Sequence, residues 1–123
     1  MYTLDSNAII YFLAGETGVV KLVTKILSEG HSLYVPTIVR MEIISKPDLS
    51  LEEYTNISEF LRRVRSTDFD KSVADIAADL RRVYKLGTPD CIIAASALYE
   101  HSILITRNAR DFRKVKELKL EVI

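Results

Sequence analysis

The stretch GTPDCIIAASALY, residues 87–99, is the most apolar helical segment of the chain. Thr88 offers a capping side chain, Pro89 suits the first helical turn, and Asp90 is favoured there by the helix dipole. After Asp90 nearly every position is apolar or small, which is typical of a helix packed in the middle of a domain. We therefore predict a buried helix over residues 90–99 that carries a carboxylate at its start.

On either side of this helix, short apolar runs alternate with amphipathic runs. Helices are predicted for residues 8–14, 19–27, 37–44, 51–64, 70–86 and 90–99, and strands for residues 1–4, 32–35, 66–69, 103–106 and 120–122. Strands that alternate with helices favour a mostly parallel sheet covered on both faces. The predicted fold is α/β, with three layers (α/β/α) in one domain over residues 1–123.

Composition limits the function classes. Lys plus Arg and Asp plus Glu number 17 each, so any surface that attracts nucleic acid must be local. Cys91 is the only cysteine and lies in an apolar stretch, which fits a core residue in a reducing compartment. The longest uncharged apolar stretch, residues 6–15, has ten residues, against roughly 20 needed to span a bilayer. Without a basic signal region at the N-terminus, we expect a cytoplasmic protein with no membrane partner.

Four acidic residues lie where an apolar strand ends or a helix begins: Asp5, Glu42, Asp90 and Asp111. Because the carboxyl ends of parallel strands share one edge of a sheet, these side chains are expected to meet in one crevice. Two carboxylates about 4 Å apart repel by roughly 4 kcal/mol at an effective dielectric near 20. Such a group stabilises a fold poorly, but it suits Mg²⁺ or Mn²⁺. A metal-dependent enzyme is the leading hypothesis.

Each acid taken alone also has a structural explanation. Asp5 could cap the first helix, Asp90 could complement a helix dipole, and Asp111 could cap a short C-terminal helix. Glu42 is harder to explain, because apolar neighbours leave little of its helix polar. We expect its carboxylate to lie against a buried surface, where it needs a partner or a proton.

Four stretches carry a family resemblance: Leu4–Asn7, Glu42 after the second strand, Gly87–Ala97 with a D-x-x-I-A-A-x-A pattern, and Leu104–Phe112 with a T-x-[ND]-x-x-D-F pattern. In order and spacing these stretches resemble the PIN domain, and within it the small prokaryotic VapC-type ribonuclease toxins. The resemblance covers almost the whole chain. It implies a Mg²⁺- or Mn²⁺-dependent endoribonuclease with Asp5, Glu42 and Asp90 as its acidic core.

The resemblance also implies supporting groups and partners. Ser6 and Thr106 would bind or orient phosphate or water. Asn7 would lie one layer further from the metal and support these groups. Asn108 stands where many members of the family have an aspartate, and Asp111 can supply that charge instead. Family members are commonly homodimers and are inhibited by a small antitoxin, whose tail lies in a groove near the site.

Basic residues that could hold an RNA backbone form two groups near the predicted acids. They are Arg107, Arg110, Arg113 and Lys114 after the fourth strand, and Arg81, Arg82 and Lys85 on the helix before Asp90. The alternative is that these side chains belong to solvated helix faces.

Two other functions are compatible with clustered acids. A phosphoacceptor receiver domain also binds Mg²⁺ at strand ends, but it would need adjacent acids after the first strand, where this chain has Asp5-Ser6. A non-catalytic or RNA-processing PIN domain that acts through partner binding would keep the acids without toxin activity.

Overall fold

The computed structural model describes residues 1–123 and has a five-stranded sheet at its centre. Its strands are β1 (Tyr2–Leu4), β2 (Leu33–Pro36), β3 (Arg65–Thr67), β4 (Ile103–Thr106) and β5 (Leu120–Val122), in the order β3-β2-β1-β4-β5. All four strand pairs are parallel, with Tyr2 opposite both Leu33 and Ile103. The predicted mostly parallel sheet is therefore confirmed and is parallel throughout.

Seven helices complete the three-layer α/β/α fold. They are α1 (Ser6–Leu13), α2 (Thr17–Ser28), α3 (Thr37–Ile44), α4 (Leu51–Arg63), α5 (Lys71–Tyr84), α6 (Thr88–Tyr99) and α7 (Ala109–Phe112). Ser50 and Glu53 form a capping box at the start of α4. No helix combines the length and the apolar character that a membrane crossing requires.

Several predicted element ends are wrong by one to three residues. Helix α1 begins at Ser6, two residues before the predicted start, and the side chain of Asp5 caps it, as one explanation of that acid proposed. Gly87, rather than Thr88, occupies the cap position of α6, so Thr88 already belongs to the helix. Helix α5 ends at Tyr84 because Lys85 adopts a left-handed conformation, two residues before Gly87.

The remaining differences lie at the sheet edge and near the C-terminus. Strand β3 covers Arg65–Thr67 and is shorter than the predicted residues 66–69. Asp111 lies inside α7, and Asn108 is at its cap position, so Asp111 does not cap that helix. Both errors concern short elements, in which few residues carry the periodic signal.

Helix α6 is the buried element that its sequence predicts. Every residue from Cys91 to Ala97 is buried, and the helix packs against α3, α5, β1 and β4. Ala94 and Ala97 have no exposed surface at all. Small side chains here let the helix lie close to the sheet, and this position fixes where Asp90 meets the carboxyl ends of the strands.

Close packing of α6 gives a first prediction. We expect Ala94→Leu to lower the free energy of unfolding by about 1–3 kcal/mol, because added bulk at a filled position forces its neighbours apart. Urea denaturation followed by circular dichroism measures the change. Ala78→Leu, at an exposed position of α5, is the matched control and should change stability by less than about 0.5 kcal/mol. Equal midpoints for the two variants would contradict the packing described here.

Candidate active site

The acidic cleft lies where the strand order of the sheet reverses. Strands β2 and β3 lie on one side of β1, and β4 and β5 lie on the other, so the chain switches direction between β1 and β4. In open parallel sheets, ligands bind at this switch point, outside the carboxyl ends of the strands. The cleft there measures about 140 Å³ and is lined by Asp5, Ser6, Asn7, Glu42, Pro89, Asp90, Ile93, Asn108 and Phe112.

Asp5 follows β1 directly and is only 5% exposed. One carboxylate oxygen accepts a hydrogen bond from the backbone N–H of Ala8 at 2.8 Å, and the other accepts one from the hydroxyl of Thr106. Burial raises the pKa of Asp5 and the charge of Glu42 adds to this, while the two hydrogen bonds oppose it. Asp5 is therefore a structural cap and a cleft carboxylate at once.

Glu42 reaches the cleft from α3 and is exposed, so the expectation of a buried carboxylate is wrong. Val39 and Ile43 form the buried face of α3, whereas Glu42 points away from it into the cleft. The hydroxyl of Ser6 donates a hydrogen bond to Glu42 Oε1 at 2.7 Å. This contact joins the start of α1 to α3 and holds the glutamate beside Asp5.

Asp90 lies in the first turn of α6 and is half-buried. Burial raises its pKa, and the charges of Asp111, Asp5 and Glu42 raise it further, with no hydrogen bond to oppose them. A raised pKa means that the surroundings of Asp90 in the folded protein disfavour its negative charge. Asp90 is the least compensated acid of the cleft.

Asp111 does not line the cleft but is hydrogen-bonded to Asn108, which does. Its Oδ2 accepts a hydrogen bond from the Asn108 amide at 3.1 Å, and its Oδ1 is 3.9 Å from the ammonium of Lys114. Among the charged groups that raise the pKa of Asp90, Asp111 has the largest effect. Its charge therefore reaches the cleft although its side chain does not line it.

The donor set of the cleft fits Mg²⁺ or Mn²⁺ in a particular way. No three His, Cys, Asp or Glu side chains are arranged to hold a metal ion by themselves. The carboxylates of Asp5, Glu42 and Asp90 form no ion pair with a basic residue. Mg²⁺ usually takes one or two carboxylates directly and keeps several waters. Three carboxylates without basic partners, and no set of three direct ligands, are compatible with an ion that keeps several of its waters.

None of the seven basic residues predicted to contact RNA lines the cleft, although all are exposed. Four have partners already. Arg82 pairs with Asp79 at 2.7 Å, and Lys114 is 3.9 Å from Asp111. Arg81 donates hydrogen bonds to the hydroxyl of Thr88 and the carbonyl of Leu86. Arg107 pairs with Glu16. Arg110, Arg113 and Lys85 form no ion pair.

Arg107 makes a contact that the sequence analysis missed. Its guanidinium pairs with Glu16 at 2.6 Å and lies 3.9 Å from the centre of the Tyr11 ring. The contact fastens the turn between α1 and α2 to the loop after β4, which also contains the cleft residue Asn108. No local sequence signal could have found it, because Glu16 and Arg107 are 91 positions apart.

A second hollow of about 470 Å³ adjoins the acidic cleft and shares Glu42 with it. It lies between α1, α3 and α4 and is lined mainly by apolar side chains, among them Ile10, Leu13 and Ile57. Ile10 is 52% exposed, which is unusual for so large an apolar side chain. This groove could accept an apolar segment of another molecule.

The raised pKa of Asp90 predicts a stabilising substitution. A carboxyl group whose folded pKa exceeds its ordinary value of 3.8 lowers stability when it ionises, so the cost is full at neutral pH and absent below 3.8. We therefore expect Asp90→Asn to raise the melting temperature of the metal-free protein at pH 7, and expect this gain to vanish as the pH falls toward 3.8. Thermal unfolding in EDTA across this pH range measures it.

Glu52→Gln is the matched control for this substitution. Glu52 also lies in the first turn of a helix, α4, but it is exposed and outside the cleft. Removing its charge loses a favourable interaction with the helix dipole, so this variant should melt slightly lower than the wild type. If the melting temperatures of both variants shift in the same direction at pH 7, repulsion within the cleft is not what disfavours the Asp90 charge.

Comparison with known proteins agrees with this geometry. Among protein families, the PIN domain matches residues 2–118. Ribonuclease VapC2 of Rickettsia felis is 24% identical over 129 aligned positions, which cover 98% of this chain and 96% of the relative. Ribonuclease VapC2 of Haemophilus influenzae is 29% identical, and the alignment covers 98% and 96% of the two chains.

Solved structures show the same fold. A chain of VapBC2 from Rickettsia felis, bound to a DNA fragment from the promoter, superposes with a TM-score of 0.88 at 23% identity and covers 99% of this chain and 98% of the other. A chain of DNA-bound VapBC from Salmonella typhimurium gives 0.83 at 22% identity, with 98% and 96% covered. Because the family match extends over residues 2–118 and the fold agrees with it, this chain belongs to the PIN domain family.

Proposed function

We propose that this protein is a divalent-metal-dependent endoribonuclease that cleaves RNA phosphodiester bonds, and that it is the toxin of a toxin–antitoxin pair. The observation that carries the proposal is the meeting of Asp5, Glu42 and Asp90 in one cleft without a basic side chain to neutralise them. Relatives named Ribonuclease VapC, aligned along nearly the whole chain, support the same reaction.

The proposed roles follow from the surroundings of each acid. Asp90 is the principal metal ligand because no protein group compensates its charge. Asp5 is the second ligand, and the hydroxyl of Thr106 fixes its orientation. Glu42 orients water, and Ser6 holds Glu42 in place. Asp111 contributes its negative charge from just outside the cleft.

Mg²⁺ and Mn²⁺ are both proposed as cofactors, because both prefer oxygen ligands. When bound, such an ion polarises the phosphodiester and makes a water a better nucleophile at neutral pH. The protein side chains orient that water and hold the carboxylates of the cleft in separate positions. Asn7 and Asn108, which also line the cleft, offer amide groups to phosphate oxygens.

RNA binding requires cations outside the cleft. Arg110 and Arg113, within and just after α7, are exposed and without ion pairs, and so is Lys85 after α5. We assign these three to the sugar–phosphate backbone, since such contacts depend on charge and not on sequence. Arg81, Arg82, Arg107 and Lys114 are further candidates, but each must first give up an existing contact.

The proposed protein partner is a small antitoxin. A structure from Klebsiella pneumoniae, described as a toxin–antitoxin complex, contains a chain with the same fold at a TM-score of 0.73. The apolar groove between α1, α3 and α4 suits a partner segment, and anything bound there lies beside Glu42. We also propose that two copies of the chain pair and that the protein acts in the cytoplasm, where its RNA substrate is made.

A phosphoacceptor receiver is disfavoured by topology. Receiver domains of the flavodoxin-like type have the strand order 2-1-3-4-5, whereas this sheet has the order 3-2-1-4-5. A PIN domain that only binds partners is the remaining alternative, and activity measurements separate it from a nuclease.

Cleavage is the direct test of the proposal. We expect the purified wild type to cut single-stranded RNA with Mg²⁺ or Mn²⁺ present. We expect Asp90→Asn to lose at least about 100-fold in rate, because a direct metal ligand should matter more than the outer groups whose loss costs about 10- to 100-fold. Asp75→Asn, at an exposed position on α5, is the matched control and should cut at the wild-type rate. Sequencing of RNA ends after brief induction in cells would identify the cleavage sites. Unchanged cleavage by Asp90→Asn would rule out this mechanism.

Metal binding can be tested without any RNA. A ligand at 100 times its Kd adds about 2.7 kcal/mol to the free energy of unfolding, so saturating Mn²⁺ should raise the melting temperature of the wild type measurably. The Asp90→Asn variant should gain much less, and EDTA should remove the gain from both. A wild-type protein that melts at the same temperature with and without Mn²⁺ would argue for the non-catalytic alternative.

A further inference from the structure

A chain of hydrogen bonds runs along the loop after β4 and ends at the buried acid of the cleft. The side-chain amide of Asn108 donates to Asp111 Oδ2 at 3.1 Å, and its backbone N–H donates to Thr106 Oγ1 at 2.9 Å. The hydroxyl of Thr106 in turn donates to the carboxylate of Asp5. Asp111 and Asp5 are thus linked through two intervening residues.

Asn108 lines the cleft and is hydrogen-bonded to Asp111. The amide lines the cleft together with Asp90, whereas the Asp111 carboxylate does not. Asp111 nevertheless influences Asp90 more than any other charged group does. The Asp111 carboxylate therefore acts on the cleft while the Asn108 amide holds one of its oxygens.

The two oxygens of Asp111 face different partners. Oδ2 is held by the Asn108 amide, and Oδ1 is 3.9 Å from the ammonium of Lys114. The Lys114 contact is exposed and long, so it constrains the carboxylate weakly. The amide is the shorter contact and is part-buried. Removing the amide leaves Asp111 free to turn toward the lysine and the solvent.

We propose that Asn108 is a positioning residue, whose amide holds the Asp111 carboxylate toward the cleft so that Asp111 supplies the fourth negative charge for a divalent cation. This inference rests on the proposed metal-dependent function. An amide suits the position because its NH₂ group can donate to a carboxylate, whereas an ionised aspartate at 108 could only accept and would repel Asp111. The pair of residues thus delivers one charge where two adjacent acids would repel each other.

The test is a double-substitution cycle on Mn²⁺ affinity, measured by isothermal titration calorimetry or by the electron paramagnetic resonance of free Mn²⁺. We expect Asn108→Ala and Asp111→Asn each to weaken binding about tenfold, which is typical when a group that orients a metal ligand is removed. The double variant should bind no more weakly than Asp111→Asn alone, because Asn108 acts through Asp111. The backbone N–H bond to Thr106 is retained in the alanine variant.

An exchange of the two residues provides a second, independent measurement. In the variant that combines Asn108→Asp with Asp111→Asn, the carboxylate and the amide change places and can still form their hydrogen bond. We expect this variant to recover at least the wild-type affinity for Mn²⁺. Recovery supports the proposal even if Asn108→Ala folds poorly, and an exchanged protein that binds as weakly as Asp111→Asn overturns it.

Asn56→Ala is the control for loss of an amide, because Asn56 is exposed on α4 and lies outside the acidic cleft. It should bind Mn²⁺ as the wild type does. If the wild type itself binds no Mn²⁺, the proposed function fails and this inference with it. The wild type could instead bind Mn²⁺ while the effects of the two single substitutions on affinity multiply in the double variant, or while Asn108→Ala has no effect. In either case only the positioning role is overturned.

Discussion

The carboxylate of Asp5 joins the fold to the site, and the other features of the cleft depend on it. One oxygen satisfies a free N–H at the start of α1, and the other accepts the hydroxyl of Thr106 at the end of β4. These two contacts join β1, α1 and β4 at the point where the strand order reverses. Burial raises the pKa of Asp5 even with both hydrogen bonds in place. A carboxylate kept ionised there at neutral pH lowers stability, which is the usual consequence of building a site for a cation.

The architecture could be predicted because its signals are local. Strands β4 and β5 cover the residues predicted for them. Strand β4 is a short apolar run between Ser102 and Arg107, and in β5 apolar residues alternate with Glu121. The burial of α6 follows from a sequence with no polar face. Helix starts were predicted less well, because Asp5 and Ser6, or Gly87 and Thr88, are adjacent residues that can each cap a helix. Which of the two residues caps the helix depends on the course of the backbone at the end of the preceding segment.

The site could be predicted only as a set of acids, and its contacts could not. Carboxylates after parallel strands share an edge whatever else the chain does, so Asp5 and Asp90 meet as expected. The exposure of Glu42 was not foreseen, because its apolar neighbours suggest a helix buried all round, whereas Met41 beside it is 58% exposed. Arg107 reads as a free cation in the sequence, yet its partner Glu16 lies 91 positions away and is visible only once the chain has folded.

The distribution of charge favours metal binding before RNA binding. The cleft contains uncompensated carboxylates and no basic side chain, and the basic candidates all lie outside it. A phosphodiester that enters such a cleft meets charge of its own sign, and at short range that repulsion amounts to several kcal/mol for each pair. A divalent ion reverses the sign of the interaction with the phosphate. Because coupling between two ligands is reciprocal, RNA that binds better to the metal-loaded protein must also strengthen metal binding. If the proposed function holds, an acidic cleft beside separate basic groups therefore makes the binding of the metal ion and the binding of RNA each depend on the other.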